Sequence, residues 1–451
     1  MGKITLQQAA EWCGGTIDPK YAQVEFLGAC NDTRKLEAGQ LFLALKGTRD
    51  GHDFVPQALE KGAAAVLCEH CDGDYPAIVV DDVRIALGKI AGGERRRIGM
   101  KVVGVTGSVG KSTTKEMISA VLETTFRTAK TPANHNNDIG MPMGILSMPE
   151  DTEVAVLEMG MNHFREMAYL SEIGEPDLAV IVNIGTMHIE HLGSQEGILK
   201  AKLEILEGMA AEAPVLLNGD DKFLSGADCG THPVTYFGIG ENSAVRGLDA
   251  GIDTGITFFR ARAGEQEFPI ELPVEGEHFV CDALAAVAVG LELGVPAVKI
   301  QESLSVFRNM AGRQEIYERG GYTIISDCYN AGPESMAAAL KVLGRQGGRR
   351  IAVLGDMLEL GSCTQAEHYK VGRVAAEQAD RVLAYGPNGV RVVKGALTGG
   401  MTGGKARSFT DREQLVVELK RLARPGDVIL FKGSRGMHME LALERFFADE
   451  R

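Results

Sequence analysis

Short apolar runs separated by polar, glycine-bearing turns recur along the whole chain. Near the amino end they are Leu41–Leu45, Ala64–Leu67 and Ala77–Val80. Val102, Val103 and Val105 begin a second series, which continues with Val154–Leu157, Leu178–Ile184 and Val215–Leu217. A third series holds Tyr322–Ser326, Ile351–Leu354, Arg381–Ala384 and Val428–Phe431. Runs of this length predict strands buried on both faces, and the segments between them carry helical spacing. After the Val102 run, for instance, Thr114, Met117, Ile118, Val121 and Leu122 fall on one helical stripe. Strands alternating with helices predict an α/β protein with doubly wound, mostly parallel sheets. Three domains are expected: 1–97, a small α/β unit; 98–312, a central unit; and 313–451, an open α/β unit. Arg95-Arg96-Arg97 is expected to be a solvated junction between the first two. The apolar stretch Phe279–Val295 carries Asp282 and Glu292, so it predicts a buried helix rather than a membrane span. Gly399–Gly404 predicts a flexible loop.

Composition narrows the picture. A chain of 451 residues exceeds what one ordinary core serves. The net charge of −14 counts against a general nucleic-acid binder. The first residues carry no secretory signal pattern, and eight scattered cysteines fit reduced thiols, so a cytoplasmic protein is expected. Cys68 and Cys71 form a single C-x-x-C without a second pair, which predicts neither a metal nor a redox site.

The chemistry is concentrated in Gly104-Val-Thr-Gly-Ser-Val-Gly-Lys-Ser-Thr-Thr114. A glycine-rich loop between strand and helix, ending in Lys-Ser, is a phosphate cradle: backbone N–H groups and a helix N-terminus face the anion. Gly107, Ser108, Val109, Gly110, Lys111, Ser112 and Thr113 are therefore candidate ATP contacts. Lys111 would reach the terminal phosphates and Ser112 would ligate Mg²⁺. Glu158 closes the run Val154–Leu157, at the carboxyl end of a strand where ligands bind in open α/β sheets, and is a candidate metal ligand. His188 follows another strand end. A strict phosphate-loop pattern places glycine where Val105 stands.

Further segments carry a family likeness. They are Asp32–Gly47 with Asp50–Phe54, Asn134-His-Asn-Asn-Asp-Ile-Gly140, Asn183–Ser194 followed by Lys200–Ile205, Asp327–Ser335, Val353-Leu-Gly-Asp-Met-Leu-Glu-Leu-Gly361 and Lys432-Gly-Ser-Arg435. With the Val105 form of the phosphate loop, these resemble the Mur ligases, the ATP-dependent amide-forming enzymes of bacterial cell-wall precursor synthesis. The Val353–Gly361 and Lys432–Arg435 segments resemble the member that adds D-alanyl-D-alanine to UDP-N-acetylmuramoyl-tripeptide. The resemblance implies a carboxylate activated as an acyl phosphate by ATP, then attacked by the amine of the dipeptide. It also implies a monomer, no nucleic-acid partner, and a third domain that closes over ATP.

Residue by residue, the resemblance implies Lys111, Glu158, His188 and Lys202 as the catalytic set. Ser112 and Glu158 would hold one Mg²⁺, and His188 with Lys202, carried as a carbamate, would serve a second. Arg313, Asp327 and Asn330 would reach the nucleotide. Thr33, Arg34 and Asn137 would contact the uridine-nucleotide precursor, and Asp356, Lys432, Ser434 and Arg435 would lie near the dipeptide. A lysine must be neutral to capture CO₂, which costs roughly 4.6 kcal/mol at pH 7 in water, so Lys202 has to be buried. Lys200 is the solvated control. Phe279 and Asp282 stand where the family carries asparagines; so does Gly332, and Gly436 and His438 replace a serine and an arginine. The rivals are another ligase of the family, of the third-residue-adding or folylpolyglutamate type, and a phosphate-loop NTPase without ligation.

Overall fold

The computed structural model describes residues 2–253 and 255–448. In the amino-terminal region, Thr5 caps the helix Leu6–Cys13 and Gln8 reaches back to the Thr5 N–H, a reciprocal cap. That helix buries Leu6, Ala9, Ala10 and Cys13. Beside it lies a four-stranded parallel sheet in the order Ala29–Cys30, Leu41–Leu43, Ala65–Cys68, Ala77–Val79.

The helix Val83–Ile98 leads out of this region and is shared with the next. Asp82 caps its start, and Gly99 at φ 71° ends it. A Cβ at Gly93 would stand 2.2 Å from the Trp12 ring, and one at Gly88 would meet Tyr169 at 2.4 Å. Its last turn corrects the expectation of a solvated arginine run. Arg95 bonds Glu175 at 3.0 Å and reaches Asp177 at 3.3 Å, Arg96 pairs with Glu175, and Arg97 bonds Glu94 at 2.7 Å and Glu150 at 2.6 Å. Carboxylates of the central region converge on the helix end, where cations also suit the helix dipole.

The central sheet has nine strands, ordered Gln266–Leu272, Ile256–Ala263, Val245–Asp253, Val234–Gly238, Val215–Asn218, Leu178–Ile181, Lys101–Thr106, Val154–Glu158, Thr128–Lys130. All neighbours from Val245–Asp253 to Thr128–Lys130 run parallel, and the first three strands form an antiparallel arm. Side chains alternate between two apolar layers. Val102, Ala155, Leu157, Ala179 and Ile181 face one, while Val103, Val105, Val154, Val156 and Val180 face the other. The helix Lys111–Glu123 packs in the second layer against His278–Glu292, the buried helix expected from the Phe279 run.

The third sheet is ordered Glu315–Arg319, Tyr322–Asp327, Val428–Lys432, Arg350–Gly355, Arg381–Tyr385, Ala406–Phe409. Only its first pair is antiparallel. The last strand in sequence inserts between two early ones and places Lys432 beside Asp327 in register. The crevice at the carboxyl ends of this sheet faces the phosphate-loop side of the central sheet.

Candidate active site

The phosphate loop spans from the strand Lys101–Thr106 to the helix Lys111–Glu123. Gly110 turns the chain at φ +86°, and a Cβ there would approach the Asp282 carboxylate to 2.7 Å, so glycine is required twice over. Asn183 shapes the loop from the next strand end. Its Oδ1 accepts the Ser108 and Val109 N–H groups at 3.1 and 2.9 Å, and its Nδ2 donates to Val109 O at 2.8 Å. Lys111 Nζ donates to Gly107 O at 2.8 Å and Ser108 O at 3.2 Å. Burial holds this ammonium below its ordinary range, with Glu158 opposing that shift and Arg313 adding to it.

Glu158 ends its strand and is 1 % exposed. Ser112 Oγ donates to its Oε2 at 2.6 Å and Asn136 Nδ2 to its Oε1 at 2.8 Å. Arg313, from the third-domain side, donates to Ser112 Oγ at 2.8 Å, and its guanidinium lies 4.0 Å above the Tyr329 ring. The oxygen pair Ser112–Glu158 is thus buried between a strand end and an arginine. Among the described residues, no three His, Cys, Asp or Glu side chains gather as a metal cluster.

Lys202 lies on the helix Gln195–Leu203, 2 % exposed, with no hydrogen-bond or ion-pair partner among the described residues. Burial pushes its ammonium well below the ordinary lysine range, and the nearby Lys111 charge pushes the same way. Lys200, two residues earlier, is exposed, 6.0 Å from the Phe164 ring. His188 sits at φ +64°, and its Nδ1 lies 2.6 Å from Glu359 Oε2, a bond that holds the Glu359 carboxyl below its usual range. Thr186 joins it there, donating from N–H and Oγ to Glu334 at 3.0 and 3.1 Å. Loop 183–188 is therefore where the central and third domains meet.

On the third-domain side, Lys432 Nζ bonds Asp327 at 2.6 Å and Asn330 O at 3.0 Å. A cavity of about 530 Å³ is lined by these three residues together with the loop residues 108–113, Glu158, His188, Asn137 and Arg313. The other predicted residues lie off its wall. Asp356 Oδ2 accepts from the Asn388 N–H and Nδ2 at 3.0 and 2.9 Å, while its buried Oδ1 has no hydrogen-bond partner among the described residues and lies 3.7 Å from His368 Nε2. Ser434 Oγ bridges Ala331 O and the Leu358 N–H. Arg435 is exposed, 5.9 Å from the Tyr329 ring centre. Thr33 donates to Gln57 at 2.8 Å and Arg34 pairs with Asp32 at 2.7 Å, both in the first domain.

Several neighbours were not singled out from sequence. Asn183 and Asn136 lie inside the quoted segments, but nothing local marks them as braces for the loop and for Glu158. Asp282, which interrupts an apolar helix and stands where the family carries an asparagine, has no role that the sequence assigns. In the fold it is buried against the loop, accepts from Thr114 Oγ1 at 2.9 Å, and burial pushes its carboxyl up to about 7, with Thr114 and Arg313 opposing.

Comparison with known proteins accords with this geometry. Three family models match in chain order: the Mur ligase family catalytic domain over residues 24–95, the Mur ligase middle domain over 105–290, and the Mur ligase glutamate ligase domain over 312–435. The UDP-N-acetylmuramoyl-tripeptide–D-alanyl-D-alanine ligase of Bacillus subtilis is 42% identical over 98% of this chain and 97% of its own. A crystal structure of MurF from Acinetobacter baumannii superimposes with a TM-score of 0.91, at 33% identity, covering 100% of both chains. That of the MurF ligase from Thermotoga maritima in complex with ADP gives 0.82, at 29% identity, over 94% of this chain and 97% of the other. The chain belongs to the Mur ligase family.

Proposed function

We propose that this protein joins D-alanyl-D-alanine to UDP-N-acetylmuramoyl-tripeptide at the expense of ATP, in the synthesis of the peptidoglycan precursor. The observation that carries the reading is the full-length match to a relative of that activity, with Lys111, Ser112, Glu158 and Arg313 converging on one cavity between two domains. In this reading residues 1–97 take the uridine nucleotide through Thr33 and Arg34. Residues 98–312 hold ATP. Residues 313–451 close over it with Arg313, Asp327 and Asn330 and receive the dipeptide near Lys432. Asp356, Ser434 and Arg435 serve that acceptor side; the bonds of Asp356 and Ser434 fit residues that fix the loops around the dipeptide. Among the described residues no helix is long and apolar enough to cross a membrane. The nucleotide substrates of the proposed reaction support a cytoplasmic enzyme.

A carboxylate resists amine attack, so its oxygen first takes the γ-phosphoryl group of ATP. Lys111 stands at the loop with its charge already desolvated, able to move from the Gly107 and Ser108 carbonyls onto the phosphoryl oxygens as they gain charge. The dipeptide amine then attacks the carbonyl carbon of the acyl phosphate: the amide C–N bond forms, the C–O bond to the phosphoryl group breaks, and inorganic phosphate leaves as the amine gives up a proton. The contacts of Thr186 with Glu334 and of His188 with Glu359 tie the third domain to the loop beside the cavity, and closure of that domain over ATP would exclude water from the labile species. The buried oxygen pair of Ser112 and Glu158 fits Mg²⁺, which takes one or two protein oxygens and completes its shell with phosphate and water. Bound there, Mg²⁺ would supply charge neutralisation at the transferring phosphoryl group. A second ion would be served by His188 and a carbamate on Lys202.

The reaction is tested by phosphate release. Turnover is expected only when ATP, the tripeptide precursor and D-alanyl-D-alanine are all present, with the pentapeptide product seen by mass spectrometry. Brisk ATP hydrolysis with neither acceptor would instead identify an NTPase without ligation. For the carbamate, the supporting observation is the desolvated amine of Lys202, which has no hydrogen-bond or ion-pair partner among the described residues. Lys202→Ala is expected to lose about 10³-fold in kcat, the scale of removing one electrostatic group from such a site. Added short-chain carboxylic acids should restore part of it, whereas a loss without rescue speaks against the modification.

A further inference from the structure

Lys115 lies one helical turn beyond Lys111 and is 0 % exposed. A buried ammonium is tolerated only when its three N–H groups are matched. Here all three are. Nζ donates to Thr131 O at 2.8 Å and Ala133 O at 3.1 Å, and it lies 3.1 Å from Glu116, which also bonds Lys130 at 2.7 Å. The two carbonyls belong to one segment, buried at Thr131 and exposed from Pro132 to Asn134, which turns at Ala133 with φ +43°. Residues with a side chain avoid that region, so the turn needs an outside hold.

What the segment does next gives the hold its consequence. Thr131 Oγ1 accepts the Glu158 N–H at 3.0 Å. Past the turn, Asn136 N–H bonds Asn134 O at 2.8 Å, Asn136 O accepts the Gly160 N–H at 2.8 Å, and Asn136 Nδ2 reaches Glu158 Oε1 at 2.8 Å. Asn137 follows on the cavity wall. One stretch of seven residues, 131–137, therefore carries both carbonyl acceptors of Lys115 and, beside Ser112 on Oε2, the bonds that hold the Glu158 N–H and Oε1.

We propose that Lys115 is a positioning residue: by clamping the strained turn at Ala133 it aims Asn136 at Glu158, so that the orientation of this carboxylate depends on a lysine that touches neither nucleotide nor peptide. The kinetic half of this inference rests on the ligase reading above; the structural half does not.

Lys115→Met in the full chain tests it. Amide exchange in 131–138 is expected to quicken by about tenfold or more, while amides 117–122 of the phosphate-loop helix keep their protection. A misaimed carboxylate should lower kcat between about ten- and a hundredfold and raise the Mg²⁺ concentration for half-activity, with KM for ATP little changed. Ala133→Gly in the same background, which removes the strain, should recover part of both losses. Unchanged exchange in 131–138 would overturn the proposal, as would a uniform loosening of the whole central domain. Should Lys115→Met not fold, Asn136→Ala cuts the same line at its far end: raised Mg²⁺ demand at unchanged Tm supports the proposal, and an unaltered Mg²⁺ profile overturns it. The exchange readout needs no substrate, so it decides the clamp even if the ligase assay fails.

Discussion

Replacing Lys111 with methionine is expected to lower kcat about 10³-fold, or about 4 kcal/mol of transition-state stabilisation, without lowering Tm. The Lys111 ammonium is held below its ordinary range by desolvation, and its bonds in the free protein are to two loop carbonyls rather than to a carboxylate. It is therefore an expensive charge in the folded chain, kept ready for an anion. Methionine removes that cost together with the function, so activity and stability should part company. Lys111→Arg is not expected to rescue, because a planar guanidinium does not fit where one nitrogen sits between the Gly107 and Ser108 carbonyls. Calorimetric ADP binding and steady-state phosphate release check both arms. A kcat within tenfold of the parent would remove Lys111 from the mechanism.

The second large effect concerns stability against pH. Burial raises the Asp282 carboxyl from an ordinary 3.8 to about 7. The folded state thus binds a proton that the unfolded state releases. The stability this lends is full below about pH 4 and is lost as pH rises through 7, where the buried carboxylate is ionised. Asparagine carries no charge and still accepts from Thr114. Asp282→Asn should therefore stabilise increasingly with pH, its advantage growing by about 3 kcal/mol between pH 5 and pH 8. Denaturant unfolding of both proteins at several pH values reads this directly. A difference that stays flat would show that Asp282 is ionised throughout at no cost.

Elements with one dominant pattern were legible in the sequence. Val103 and Val105 against Val102 reproduce the two faces of the phosphate-loop strand, and the strand ending at Glu158 puts that carboxylate where the run predicted. The antiparallel arm 245–272 escaped notice because its alternation is blurred. Thr257, Phe259 and Ala261 face inward, but Ile256 and Phe258 face water between them. The arginine run is illegible for a related reason: its partners, Glu175, Asp177 and Glu150, are far along the chain and belong to no local pattern. His188 shows the same limit. Its place after a strand end was visible, whereas its partner Glu359 comes from another domain. In each case the missing information was tertiary: which distant charge, carbonyl or ring a side chain would meet.

The insertion of Val428–Lys432 between Tyr322–Asp327 and Arg350–Gly355 has a consequence for how the enzyme is made. A chain emerging from the ribosome completes its phosphate loop early, since domains fold from the amino end as they appear. Asp327 must wait for Lys432, and the third sheet stays split until that strand arrives. A truncated product can thus own a finished phosphate loop and still lack the surface that closes on it. A chain cut before Val428 would lack the strand that joins Tyr322–Asp327 to Arg350–Gly355, and with it the Lys432 that pairs with Asp327.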